Sequence, residues 1–450
     1  MSELLRSAAE SAIRYLDALG TRAVAPSAAA VERLAELREP LPEDPGDAAA
    51  TLAVLERLVA PATLGIAGPR FFGFVMGGAL PVTLAANWMA GAWDQNSGMY
   101  RATPGTAELE QVALGWCLDA LGLPPTFGGA FVTGATVANF TALAAARHVQ
   151  LGRAGWNVEA DGLFGAPPIT VVVSEEAHPS VIKSLGLLGL GRNRALRVPV
   201  DDQGRMRVDA VPKVEAPAIV CCQLGNVNTG SVDALERLAD RVEGSGAWIH
   251  VDGAFGLWAA ASPSLRALVP GLARADSMAT DAHKWLNVPF DNGLAIVRDP
   301  AALRAAMAIT AEYLPTETEH RNPADHTPEL SRRARGVDVW AALRTLGRKG
   351  LSDMIERTCR HARRFAEGLH AAGHTILADV VLNQVLVSFG DAARTSRVIA
   401  RVQEDGTCWC GGTVWQGKPA MRISVCSWRT TDADVEKSLA AILRCAAESR

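Results

Sequence analysis

Trp248-Ile-His-Val-Asp252-Gly-Ala254-Phe255 and Ser277-Met-Ala-Thr-Asp281-Ala-His283-Lys284-Trp285 each run from a strand-like pattern into a carboxylate. A strand covered on both faces reads as a short, nearly continuous apolar run, whereas a half-exposed strand alternates. Working outward, the same texture recurs at 130–133, 169–174, 218–223, 247–251, 277–280 and 294–297, with helical patterns between, such as 137–148 and 232–242. Strands alternating with helices predict an α/β fold whose mostly parallel central sheet is covered on both faces. Ligands of such sheets sit at the carboxyl ends of the strands, so the polar residues ending each strand are the candidates for chemistry.

The flanks differ. Residues 1–75 read as a helical segment, with Leu52, Leu55, Leu58 and Val59 at helix spacing behind Asp44-Pro45 as cap and first-turn pair. That segment has too little apolar surface to stand alone and is expected to pack on a partner subunit. Residues 76–310 form the large domain, and 311–450 a small α+β domain with a loop at 314–330, a helical region at 337–370, strands at 380–389 and 421–425 and a last helix at 433–445.

With 450 residues, 49% hydrophobic and 20% charged, the chain is neither disordered nor fibrous. A net charge of −4 without a basic block argues against nucleic acid as a partner. The start Met-Ser-Glu-Leu-Leu lacks a signal-peptide pattern, and no apolar run reaches the roughly 18 residues a membrane span needs. The eight cysteines show no CxxC pair, and Cys408-Trp-Cys410 has no further His or Cys nearby, so reduced thiols, no metal and a cytoplasmic location are expected. Only six lysines stand against thirty-eight arginines, leaving few primary amines for chemistry.

Four strand ends carry groups that fit one ligand. Thr133-Gly134-Ala135-Thr136 opens a helix, whose N–H groups and dipole suit a phosphate. His178 follows a strand tip, where it can stack on a flat ring or act as an acid–base group. Asp252 ends an apolar strand and suits a pyridine nitrogen, with the small Ala254 leaving room for a ring. Lys284 lies in an aromatic, apolar setting where an amine can react with a carbonyl. Each has a plain structural alternative: a helix cap, a surface histidine, a turn-capping aspartate, a surface lysine. Together they describe a pyridoxal 5'-phosphate site.

These motifs, with 69–74, 103–110 and 421–428, resemble the group II pyridoxal-phosphate-dependent amino-acid decarboxylases, from about residue 45 onward. The resemblance implies the fold type I of aspartate aminotransferase, an amino-acid substrate, and a homodimer with the active site at its interface. It implies Lys284 as the internal-aldimine lysine, Asp252 on the pyridine nitrogen and His178 stacked on the ring. Ala135 and Thr136 contact the phosphate, Ala254 lies under the ring, and His283 sits near phosphate and substrate. Phe72, Phe74 and Arg422 are candidate substrate contacts, Arg422 for the carboxylate.

Three positions depart from the family pattern. Asp281 stands where close relatives have Asn, and Val227 where Thr is frequent. The 314–332 loop holds no tyrosine, only His320 and His326; the chain's tyrosines are Tyr15, Tyr100 and Tyr313. The expected reaction is decarboxylation to the amine plus CO2 through a quinonoid. The alternatives are aldehyde-forming decarboxylation–deamination, an aldolase-type carbon–carbon cleavage, or an inactive binding protein.

Overall fold

The computed structural model describes residues 1–309 and 320–449, so Tyr313 and positions 314–319 of the 314–330 loop lie outside the described residues. The chain divides into two compact units. One comprises Met1–Gly78, His361–Leu377 and Val385–Arg450, and the other Ala79–Arg360 and Ala378–Gln384.

The larger unit is built on seven strands: β1 (Gly128–Val132), β2 (Thr170–Ser174), β3 (Leu196–Val198), β4 (Ala218–Gln223), β5 (Trp248–Asp252), β6 (Ser277–Asp281) and β7 (Gly293–Val297), in the order β1-β7-β6-β5-β4-β2-β3. β2, β3, β4, β5 and β6 pair in parallel, while β7 is antiparallel to both β6 and β1. Two reversals bring β1 back into the common direction, so β1, β2, β4, β5 and β6 all end on the same edge. The fold is the expected α/β type. All six predicted strands are present, and the edge strand β3 is an addition.

Helices Ala135–Arg153 and Pro179–Leu187 cover this sheet, burying Leu143, Ala145, Ala146, Val181 and Leu185 against Val171, Val173, Ile219 and Trp248. Each large apolar side chain so buried contributes roughly 1.5–3 kcal/mol. Alanines let the first helix lie close to the strands, and Gly134 and Gly293 meet where no side chain fits: a Cβ on Gly293 would fall 2.5 Å from the Gly134 Cα. That close approach places the start of helix Ala135–Arg153 over the strand ends. Beyond the undescribed residues, Glu110 is buried against Arg332 (2.7 Å) and lies 3.7 Å from Arg321, so one carboxylate faces two arginines of the same segment.

The smaller unit holds an antiparallel sheet of β8 (Thr375–Ile376), β9 (Gln384–Ser388), β10 (Gly411–Trp415) and β11 (Lys418–Ser424), in the order β10-β11-β9-β8. Helices Ala392–Asp405 and Asp432–Glu448 accompany it. Near the N-terminus the helical reading holds, but the cap of helix Ala48–Val54 is Asp47, whose carboxylate accepts the Ala50 N–H at 2.8 Å. Asp44 lies too far upstream to reach the first-turn donors. The long helix Gly336–Ala371 is broken at Gly347, which takes φ 58°, a left-handed conformation open to glycine.

All eight cysteines are buried, and none is in a disulfide. Burial pushes the thiols of Cys117 and Cys221 up to about 12. Among the described residues no helix is long and apolar enough to cross a membrane, and no cluster of side chains could hold a metal ion.

Candidate active site

The common edge of the parallel strands gathers the candidates. β5 ends in Asp252, and Lys284 follows β6 within a turn that Asn292 ties down: its N–H donates to His283 Nδ1 at 3.1 Å. His178 follows β2 as the N-cap of helix Pro179–Leu187, with Nδ1 accepting the Ser180 N–H at 3.2 Å. Gly134-Ala135-Thr136 follows β1. A small cleft at this edge is lined by His178, Gln223, Val227, Asp252, Ala254 and Lys284.

Asp281 joins the lysine to the helix start. Its Oδ2 lies 2.9 Å from Lys284 Nζ, and its Oδ1 accepts the Ala135 N–H at 2.5 Å. His283 Nε2 stands 3.5 Å from the same Oδ1, and the His283 ring stacks on Phe290 at 4.2 Å. Gly134 is held close to this group, because a Cβ there would fall 3.0 Å from His283 Cε1. The carboxylate therefore sits at a helix N-terminus that has no side-chain cap of its own. The backbone around Asp281 is anchored too: its N–H donates to Ala254 O at 2.8 Å, and its carbonyl accepts the Trp258 indole N–H at 3.0 Å.

Electrostatics follow from burial. Burial pushes the Asp252 carboxyl above its ordinary range, while His178, Lys284 and the Ala254 N–H oppose the shift. Burial likewise lowers His283, against the pull of Asp281. Because His283 Nδ1 accepts an N–H, the neutral ring carries its proton on Nε2. Ser180 Oγ lies 2.7 Å from His178 Nδ1 and 3.5 Å from Asp252 Oδ2, linking the histidine to the acid. Behind them, His250 bonds Asn139 Oδ1 and Ser277 Oγ, both at 2.8 Å, and burial drops it to about 3, so it stays neutral.

The structure thus brings Lys284, Asp252, His178 and Ala254 onto one cleft, and Asp281 connects Lys284 to Ala135 and His283. Thr136 is half-buried, and its carbonyl accepts Ser184 Oγ at 3.0 Å. Phe72, Phe74 and Arg422 belong to the other unit. There Phe72 is fully buried edge-on against Phe365, Phe74 lies 5.2 Å from Trp409 and is half-exposed, and Arg422 lies on β11. Of the loop histidines, His320 stacks on Tyr100 at 3.8 Å, whereas His326 is buried and pushed down to about 3. Sequence reading passed over Gln223 and Ser180. Gln223 ends β4, so the rule that singled out Asp252 applied to it as well.

A larger depression in the same unit, lined by Asp201, Arg205, Asp209 and Arg237 among others, is filled with charges that pair with one another. It offers no comparable convergence.

Comparison with known proteins places the chain among decarboxylases. An aromatic-L-amino-acid decarboxylase of Bacillus atrophaeus is 31% identical over 324 residues, covering 69% of this chain and 65% of that protein. Tryptophan decarboxylase 1 of Oryza sativa subsp. japonica is 27% identical over 414 residues, covering 83% of this chain and 80% of that one. The crystal structure of Oryza sativa TDC with PLP and tryptamine superposes with a TM-score of 0.90 at 23% identity, over 99% of this chain and 97% of that chain. Mouse CSAD follows at 0.89 and 22%, over 99% and 98%. The pyridoxal-dependent decarboxylase conserved domain matches residues 32–390, and the chain belongs to this family of carboxy-lyases, whose cofactor is pyridoxal 5'-phosphate.

Proposed function

We propose that this chain converts an L-amino acid to the corresponding amine and CO2, with pyridoxal 5'-phosphate held in the cleft at the strand ends. The observation that carries this reading is the convergence of Lys284, Asp252 and His178 on one cleft, with the uncapped helix start at Ala135 reached through Asp281. The residues fit the cofactor. Ala135 and Thr136 would take the phosphate beside His283, Asp252 the ring nitrogen, and Ala254 and His178 the two ring faces. Gln223 Oε1, buried without a hydrogen-bond partner, is the sort of atom a polar ligand satisfies.

When bound, the cofactor supplies an electron sink for the pair left behind by departing CO2. The protein's work is to hold protons and charges in place. Lys284 would hold the cofactor through Nζ, and the Asp281 carboxylate 2.9 Å away holds that amine's charge when it is free. Asp252, raised by burial and opposed by neighbouring cations, would hold the proton of the ring nitrogen through its carboxylate. His178 is locked by Ser180 with the neutral ring's proton on Nε2. Of the two loop histidines, His326 is held neutral by burial, and His320, stacked on Tyr100, is the candidate to deliver a proton to the α-carbon.

The names of the relatives support an aromatic L-amino acid as the first substrate to test. A homodimer is part of the same reading. Helix Pro81–Trp93 buries only Thr83 and exposes Trp88, Met89 and Trp93, an apolar surface that a second copy would cover. Eight cysteines without a disulfide favour a reducing, cytoplasmic setting.

The test is a panel of L-amino acids assayed together for CO2, amine, aldehyde and peroxide. CO2 with equal amine is expected, and aldehyde with peroxide would sink the proposal. Borohydride reduction should abolish the visible band and leave the reduced cofactor covalently on Lys284, and a Lys284→Ala protein that still becomes covalently labelled refutes the site. A monomer in sedimentation would refute the dimer.

A further inference from the structure

We propose that the side-chain amide of Gln223 hydrogen-bonds the ring hydroxyl of the bound cofactor, an inference that rests on the pyridoxal 5'-phosphate reading above. The cofactor presents four polar groups: a pyridine nitrogen, an aldehyde, a phosphate and a ring hydroxyl. Three have counterparts in Asp252, Lys284 and the helix start at Ala135. The fourth has none among them. Val227 lines the same cleft but offers no polar side-chain atom.

Gln223 supplies the missing group. It pairs with Asp252 across parallel strands β4 and β5, so the two side chains leave the sheet on the same face. It lines the cleft, is 7% exposed, and its Oε1 is buried with no hydrogen-bond partner. Native proteins leave few buried polar atoms in that state.

Its backbone is pinned. The Gln223 N–H donates to Asp233 Oδ2 at 2.7 Å, and its carbonyl accepts the Asp233 N–H at 3.0 Å. The strand end therefore cannot swing, and the side chain keeps its direction. Turning about its last torsion, the amide offers either oxygen or N–H, so it accepts from a hydroxyl and donates to the oxyanion. Asn226 also has a buried Nδ2 without a partner, but it lies outside the cleft lining, and its Oδ1 accepts the Asn228 and Thr229 N–H groups.

The experiment follows the visible absorbance of the holoenzyme against pH in the wild type, Gln223→Leu and Gln223→Met. Borohydride trapping on Lys284 is checked in each. With the donor gone, the ring oxyanion is less stabilised and the neighbouring proton is held more tightly, so the midpoint rises by about one pH unit. Cofactor affinity falls by about tenfold. Adding Val227→Thr to Gln223→Leu returns the midpoint towards the wild type, because a hydroxyl then faces the same cleft. Midpoints equal to the wild type in both variants, with the reduced cofactor still found on Lys284, overturn the assignment. Absence of covalent label on Lys284 after reduction of the wild type itself would instead overturn the cofactor reading. Should Gln223→Leu fail to fold, Gln223→Met, which keeps the unbranched shape, decides.

Discussion

Asp281→Asn should tighten cofactor binding, although it removes a charge from the centre of the site. Asp281 Oδ1 occupies the Ala135 N–H, and Oδ2 lies 2.9 Å from Lys284 Nζ. Loading the cofactor asks both contacts to yield. The phosphate competes for the same helix start, and the lysine must lose its ammonium character before it can react. For unit charges about 4 Å apart at an effective dielectric near 20, each Coulomb interaction is about 4 kcal/mol. Asparagine keeps the shape and the acceptor, so we take roughly half of one such interaction, about 2 kcal/mol, which is close to 30-fold in Kd. The assay titrates apoenzyme with pyridoxal 5'-phosphate and reads tryptophan fluorescence, for which Trp258, bonded to the Asp281 carbonyl, is well placed. A parallel titration with inorganic phosphate isolates the helix-start contribution. Binding of both ligands tenfold weaker in Asp281→Asn would show that the carboxylate assists loading, and the competition argument would fall.

Three further outcomes follow from the geometry. Asp233 is fully buried and raised to about 6, so its contribution to stability is complete below its unfolded value near 3.8 and is lost as pH rises through 6. That amounts to about 3 kcal/mol; denaturant unfolding should show the decline between pH 4 and 6 in the wild type but not in Asp233→Asn, and parallel curves would refute it. Glu110→Ala leaves the buried Arg332 guanidinium without its carboxylate and should cost about 3–5 kcal/mol, seen as a lowered melting temperature; a shift no larger than that of a surface substitution argues otherwise. Ser180→Ala removes the hydroxyl 2.7 Å from His178 Nδ1 and should lower kcat/KM roughly fivefold, about 1 kcal/mol, without changing cofactor affinity. A changed affinity with unchanged kcat/KM would point to a purely structural serine.

Much of this was legible in the chain. Buried strands announce themselves as apolar runs, and the acid of Asp252 and the amine of Lys284 stand out against them. The three-residue edge strand β3 carries too short a pattern to register, with two of its residues exposed. The pairing of Asp281 with the Ala135 N–H could not be read, because it joins residues 146 apart that only the sheet order brings together. Gln223 was overlooked for a different reason. Amides are common at strand ends, and only the absence of a partner for Oε1, a property of packing, sets it apart. The burial of His326 was equally hidden, since a Pro- and His-rich stretch reads as exposed loop while Pro323–His326 forms a tucked turn.

The eight buried thiols give the protein its own unfolding gauge. A thiol raised to about 12, as at Cys117 and Cys221, holds almost no thiolate at neutral pH, and no reagent reaches it through the packed interior. Alkylation then reports opening rather than accessibility. Cys117, Cys221, Cys222 and Cys359 sit in one compact unit, and Cys408, Cys410, Cys426 and Cys445 in the other, so the order in which peptides become labelled would record which unit opens first.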